Sequence, residues 1–319
     1  MLLDPIQLRA NANSSLKRTR KPERTILIHT GVVLLISLLL TGVDYMLDQQ
    51  IGTTGGLSGM GTRSVLVTTQ SLLRLLQTVV LPFWQIGYTF YALRVARGQA
   101  SGLSDLLEGF RRFGPVLRLK ALMAGMALIL LFASAYASSF LFMMTPWAVP
   151  ILQKMESLSI TIMSEQELLE AFAATVQDSI VPIMIIFALC FLAGGAFLFF
   201  RFRLAELWLL DHPEDGALTS LRASKELMRG NWKAMLRIDL SFWWFYLLDL
   251  LVSALCYGDL ILDAFGMEMT TDAFGSYLLF FSLYVWAQMA LYWWKRNEVA
   301  VTYAHAYLSL LPGEPTEEQ

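Results

Sequence analysis

The chain has 319 residues, 56% of them hydrophobic and 16% charged, with a net charge of −2. Soluble domains carry about 25% charged residues and space their apolar residues with a period of 2 or 3.6. Here the apolar residues come in blocks of about 20, the length of a helix crossing a ~30 Å hydrocarbon layer. These figures argue against a soluble globular enzyme, against a transmembrane barrel with its alternating ~10-residue segments, and against a surface charged for nucleic acid. The expected class is all-α, a polytopic transmembrane helix bundle.

Residues 1–24 form a polar, basic N-terminus carrying Arg9, Lys17, Arg18, Arg20, Lys21 and Arg24. The apolar run over 25–47 is too long for a signal peptide and no small-x-small cleavage site follows it, so it reads as an uncleaved first span. Further spans are predicted over 65–95, 119–143, 180–210, 235–257 and 277–294, six in all, within a membrane domain of 25–310. The chain continues helically to about Leu310, and 311–319 is a disordered acidic tail.

Orientation follows from lysine and arginine placement. Nearly all of the 24 basic residues fall in the N-terminus, in 94–120, in 201–237 and at Lys295 and Arg296. Arg63 and Lys154 are left for the opposite side, and Arg74 lies within the second span. Six spans with both termini in the cytoplasm of a cell-membrane protein satisfy this alternation.

Two cytoplasmic connectors read as amphipathic helices. In the first, Leu106, Leu107, Phe110 and Phe113 share a face between Ser104 as N-cap and Gly114 as terminator. In the second, Leu218, Leu221, Leu227 and Met228 do so between Pro213 and Gly230. Such helices either lie in the lipid interface with basic residues at anionic headgroups or pack on the ends of the bundle. Arg222, Lys225 and Arg229 are the candidate contact residues of the second. On the opposite side, Ser164 and Glu167 form a capping box ahead of Leu168, Leu169, Phe172 and Val176, which predicts an outer amphipathic helix. The outer loop 258–276 is acidic.

Ionisable groups within a span cost about 2.5–3.5 kcal/mol each on insertion scales and normally find partners. Asp44 near the outer end of the first span and Arg74 near the outer end of the second are expected to pair, either as a clip between helices or as part of a polar pathway. Glu206 is expected beside Arg203. Asp239 opens the fifth span, where a carboxylate can accept from backbone N–H groups or the preceding basic helix. Asp249 lies deep in the fifth span and must face protein or water. Trp243, Trp244, Trp293 and Trp294 fit a cytoplasmic interfacial belt.

No phosphate-binding loop, nucleophile elbow, zinc-protease or dinucleotide signature is present. Cys190 and Cys256 lack a CxxC partner, and His29, His212 and His305 are scattered, so no metal site and no cofactor is expected.

Ser224-x-x-Leu227-Met228-x-Gly230, followed by Asp239-Leu240-Ser241-Phe242-x-Trp244, resembles the signature of an uncharacterised family of bacterial six-span integral membrane proteins, a domain of unknown function. Arg94-Val95-Ala96-Arg97-Gly98 with Asp105-Leu106-Leu107 and Gly109-Phe110 resembles its first cytoplasmic loop, and Tyr303 to Leu308 its C-terminal helix. The resemblance implies a fold and a cell-membrane address, not a reaction. The expected function is non-enzymatic, acting by association with the lipid bilayer or with a membrane-protein partner. The alternative is a transporter or transporter subunit using Asp44, Arg74 and Asp249, and a weaker third is a lipid-modifying enzyme.

Overall fold

A computed structural model describes residues 3–53, 60–149, 153, 180–258 and 273–311. Among these residues the fold is all-α, with no strand, and four helices are long and apolar enough to cross a membrane.

Helix α1, Pro5–Arg18, occupies the segment expected to be a polar terminus. Asp4 caps it by accepting the Ile6 N–H at 3.0 Å, with Pro5 pre-set for the first turn. Leu8 and Ala12, one turn apart, are its buried face. Helices α2 (Pro22–Thr53) and α3 (Met60–Ala96) form a long hairpin, and Pro82 does not interrupt α3.

The first connector departs from expectation. It is a 3₁₀ turn, Leu103–Leu107, followed by one short helical turn α4, Glu108–Arg111. Asp105, not Ser104, satisfies its start by accepting the Gly102 N–H at 2.9 Å. The helix ends at Arg112, and Gly114 lies in the first turn of α5, Phe113–Met143. The connector is held against α3 by backbone contact. A Cβ on Gly87 would stand 1.9 Å from the Leu106 carbonyl oxygen, and one on Gly109 would stand 2.0 Å from that of Phe83. Only glycine allows this approach from both sides.

Helix α6, Ile180–Phe202, forms a second hairpin with α5 and runs into α7, Ala205–Asp211. Helix α8, Ala217–Met228, is the second connector. Its buried face is Ala217, Ser220, Leu221, Ser224 and Met228, packed on α5, α6 and α7, whereas Leu218 points outward at 59% exposure. The apolar side of this helix therefore meets protein. Ser224 fixes it by accepting the Leu204 N–H at 3.2 Å and donating to the Arg201 carbonyl at 3.1 Å.

The expected fifth span is not one helix. Helix α9, Trp232–Ser241, stops at Phe242, and α10, Trp243–Ala254, begins anew. Twelve residues rise only about 18 Å, short of the hydrocarbon thickness. The break is stabilised by α1: the Arg9 guanidinium donates to the Ser241 carbonyl at 3.2 Å and lies 4.7 Å over the Phe242 ring. Helix α11, Ala273–Leu291, passes through a π-helical turn, Tyr292–Arg296, into α12, Asn297–Leu310. The predicted outer helix, most of the acidic outer loop and nearly all of the C-terminal tail lie outside the described residues.

Buried apolar side chains concentrate where the basic residues are, here termed the basic end. Phe83, Ile86 and Leu93 of α3, Val116 and Leu119 of α5, Leu209 and Leu210 of α7, Met235 and Ile238 of α9, and Val299 and Tyr307 of α12 meet there. By contrast α6 buries no side chain at all.

Candidate functional site

Two features at the basic end bring together groups with chemistry to offer. The first is a polar cluster beneath the hairpins. Arg203, whose side chain is only 8% exposed, donates from Nη1 and Nη2 to the two oxygens of Asp239 at 2.8 and 3.0 Å. The guanidinium also lies 4.8 Å from the Phe199 ring centroid and 4.6 Å from that of Tyr303. Tyr303 donates to Asp239 Oδ1, and its hydroxyl is 2.6 Å from that of Tyr246. Burial holds the Tyr303 phenol well above its ordinary range, so it remains a donor. Glu206 does not pair with Arg203; it takes Lys120 Nζ of α5 at 2.5 Å. Asp239 is likewise bound by Arg203, in the turn between α6 and α7, and by Tyr303 of α12, not by backbone N–H groups or the preceding basic helix.

Above this cluster lies a cavity of roughly 590 Å³ between α3, α5, α6, α7, α10 and α12. Its walls are apolar along α5 and α6, and its polar end carries Arg203, Glu206, Tyr246, Tyr303 and Arg296.

The second feature is a groove between α6 and α8. Arg201, Arg222, Lys225 and Arg229 line it together with Glu226, the Phe197 and Phe200 rings, and Trp232. Arg222, Lys225 and Arg229 are exposed, and among the described residues none of the four basic side chains forms an ion pair. Arg201 lies 5.3 Å over Phe197. Arg222, Lys225 and Arg229, on α8 and at its C-cap, are legible in the sequence; Arg201, Phe197 and Trp232 are not, because they reach the groove from neighbouring helices.

The remaining sequence candidates fall elsewhere. Asp249 accepts from Gln288 Nε2 at 2.9 Å, so α10 and α11 satisfy it between them, and it lines neither the cavity nor the groove. Arg74 is exposed on α3, whereas the side chain of Asp44 lies outside the described residues, and with it the expected pairing. The four tryptophans of the expected belt are 47–60% exposed at the basic end.

Further ion pairs brace this end. Arg94 holds Asp105 at 2.6 Å, Arg97 and Tyr307 share Asp211 at 2.9 Å each, and Arg9 meets Glu298 at 2.9 Å. These absorb the Arg94-to-Gly98 segment and Asp105 into structure. Among the described residues no cluster of His, Cys, Asp and Glu has the arrangement of a metal site. No protein-family model, curated protein or solved structure matches this chain.

Proposed function

We propose that this chain is a non-enzymatic, six-span protein of the cell membrane, with its basic end and both termini cytoplasmic, that acts by binding anionic lipid of the inner leaflet. In this reading α10 with its continuation, and α11, complete the six spans that the sequence periodicity predicts, and the resemblance to the uncharacterised bacterial family stands as part of the proposal. The observation that carries the lipid assignment is the groove: four cations that form no ion pair among the described residues, set around Phe197, Phe200 and Trp232. Cations beside aromatic and apolar surface suit an anionic headgroup with its glycerol backbone and upper chains against the rings. Glu226 among the lining residues offsets one of these four positive charges and leaves the groove cationic.

Each basic residue near an anionic surface contributes about 1 kcal/mol, so three neutralised together should weaken binding by up to about 3 kcal/mol. The test is native mass spectrometry of the purified protein after exchange into mixed phosphatidylcholine and phosphatidylglycerol vesicles. Arg222→Gln, Lys225→Gln and Arg229→Gln combined should lower retained phosphatidylglycerol at least tenfold and leave phosphatidylcholine unchanged. Equal retention by the variant and the parent would remove the lipid reading.

A transport reading lacks comparable support, because Asp249 has a neutral partner in Gln288 and no place on the cavity wall.

A further inference from the structure

We propose that the cavity between α3, α5, α6 and α12 is a binding site for a single-chain anionic amphiphile, a hydrocarbon chain ending in a carboxylate or similar monoanion. The proposal rests on reading α5 and α6 as membrane helices, but not on the surface groove, and its test separates the two.

The shape comes from two stripes. On α6, Phe191, Gly195, Leu198 and Phe202 recur at helical spacing and all line the cavity. At 1.5 Å per residue this stripe is about 16 Å long. Met123 and Leu130 form the facing wall on α5. A volume near 590 Å³ lies within the range of sites for small, mostly apolar ligands, and a slot of this length suits an extended hydrocarbon chain.

The charge comes from subtraction. Of the ionisable groups at the polar end, Arg203 is neutralised by Asp239 and Glu206 by Lys120. Arg296 is left, half-buried on the π-helical turn. Among the described residues it makes no ion pair, and its contact is with the Tyr292 ring at 5.2 Å. A cation held in a mostly apolar slot without a counter-ion is costly to desolvate, and a ligand carrying one negative charge offsets that cost. Tyr246 and Thr89 add hydroxyls to the same lining. The slot thus has an apolar shaft and a net charge of one at its polar end.

Gly195 keeps the shaft open. A Cβ there would stand 4.0 Å from Leu130 Cδ2, an ordinary contact, so a longer side chain can be built at this position and would occupy cavity space. At the neighbouring Gly194 a Cβ would stand 2.2 Å from Leu130 Cδ1, which would instead disturb the α5–α6 contact.

The experiment is equilibrium dialysis of radiolabelled dodecanoate against the full chain in phosphatidylcholine nanodiscs, with empty nanodiscs as the baseline. Saturable binding of one dodecanoate per chain above baseline is expected. Arg296→Gln and Gly195→Leu should each weaken it at least tenfold, and Arg296→Lys should restore most of it. Acetate (the head without a chain) and dodecyltrimethylammonium (the chain with the opposite charge) should fail to compete. The triple variant at Arg222, Lys225 and Arg229 should bind dodecanoate as the parent does, whatever its lipid retention. Should Gly195→Leu not purify as a monodisperse species, Ala300→Leu on the opposite wall serves as the blocking variant. Binding no greater than that of empty nanodiscs would overturn the assignment, as would equal competition by the cationic amphiphile. Unchanged affinity in both the charge and blocking variants would do the same. Displacement by two-chain phosphatidylglycerol at equal concentration would overturn the single-chain assignment.

Discussion

The basic end and the far halves of the long helices are built on opposite principles. At the basic end, short helices cross one another, apolar side chains are fully buried, and nearly every buried charge has a partner. In the far halves, Ile129, Phe132 and Tyr136 of α5 are 58–77% exposed, and α6 presents Met184, Leu189 and Leu192 at 59–65%. Water would penalise such surfaces, but hydrocarbon does not, because lipid tails are as apolar as leucine. The densest specific packing therefore resides at the charged, aromatic basic end, and the exposed faces of the far halves suit a lipid surround.

That division can be broken most severely at Arg203 and Asp239. Removing one partner of a buried ion pair leaves an uncompensated charge and costs about 3–5 kcal/mol, whereas replacing both by apolar residues of similar volume is often near neutral. Asp239→Leu or Arg203→Met alone should lower the thermal unfolding temperature in detergent sharply, and the double variant should recover most of the loss. A double variant no better than the worse single one would show that the cluster acts through Tyr303 and not through the pair.

The glycine contact between α3 and the first connector comes next. Gly109→Ala would drive a methyl group to about 2.0 Å from the Phe83 carbonyl oxygen, and overpacking of this kind typically costs about 1–3 kcal/mol. The same substitution at Gly125, where a Cβ meets nothing within 4 Å, should be neutral or slightly stabilising, since alanine favours the helix. The two unfolding temperatures measured side by side check the contrast.

These sites also mark what the amino-acid order discloses and what it hides. The four long helices are legible because twenty-residue apolar blocks allow few other structures. The break at Phe242 is not, because the contact that stabilises it comes from Arg9, 232 residues away from Ser241. Helix α1 is hidden by low hydrophobicity: Leu8 and Ala12 are its only buried residues, too few to stand out. Glu206 three positions after Arg203 suggests a local pair, yet each finds a distant partner. Proximity along the chain is a weak guide when neighbouring helices supply stronger geometry. The cations of α8 were legible because they cluster, and Arg296 was not, since in sequence it is one more basic residue at the end of a span.

A milder effect should appear at the seam between α1 and α12. Ser15 Oγ lies 3.1 Å from His305 Nε2, and burial holds His305 below its ordinary value of 6.5. A depressed folded-state value means that the unfolded chain binds the proton first as pH falls. The stabilising contribution is therefore fully present above pH 6.5 and declines progressively as pH drops below it. Amide hydrogen exchange over residues 5–18 should accelerate, relative to that of α3, between pH 6.5 and 5 after correction for intrinsic rates. His305→Gln should remove that dependence and keep the hydrogen bond to Ser15.

The smallest effect is expected where the sequence is most hydrophobic. Leu189 is 63% exposed on a helix with no buried side chain, so truncating it exchanges one lipid-facing surface for another. Leu189→Ala should change stability by less than about 0.5 kcal/mol. Leu209→Ala at the basic end, 1% exposed, should cost about 2–5 kcal/mol through lost burial and a residual cavity. Measured in the same phosphatidylcholine nanodiscs, the pair compares the two regions with the chemistry of the substitution held constant. A large loss at Leu189 would mean that a protein surface covers the far half of α6, either a second copy of the chain or another subunit, and the division between a packed base and lipid-facing shafts would fail there.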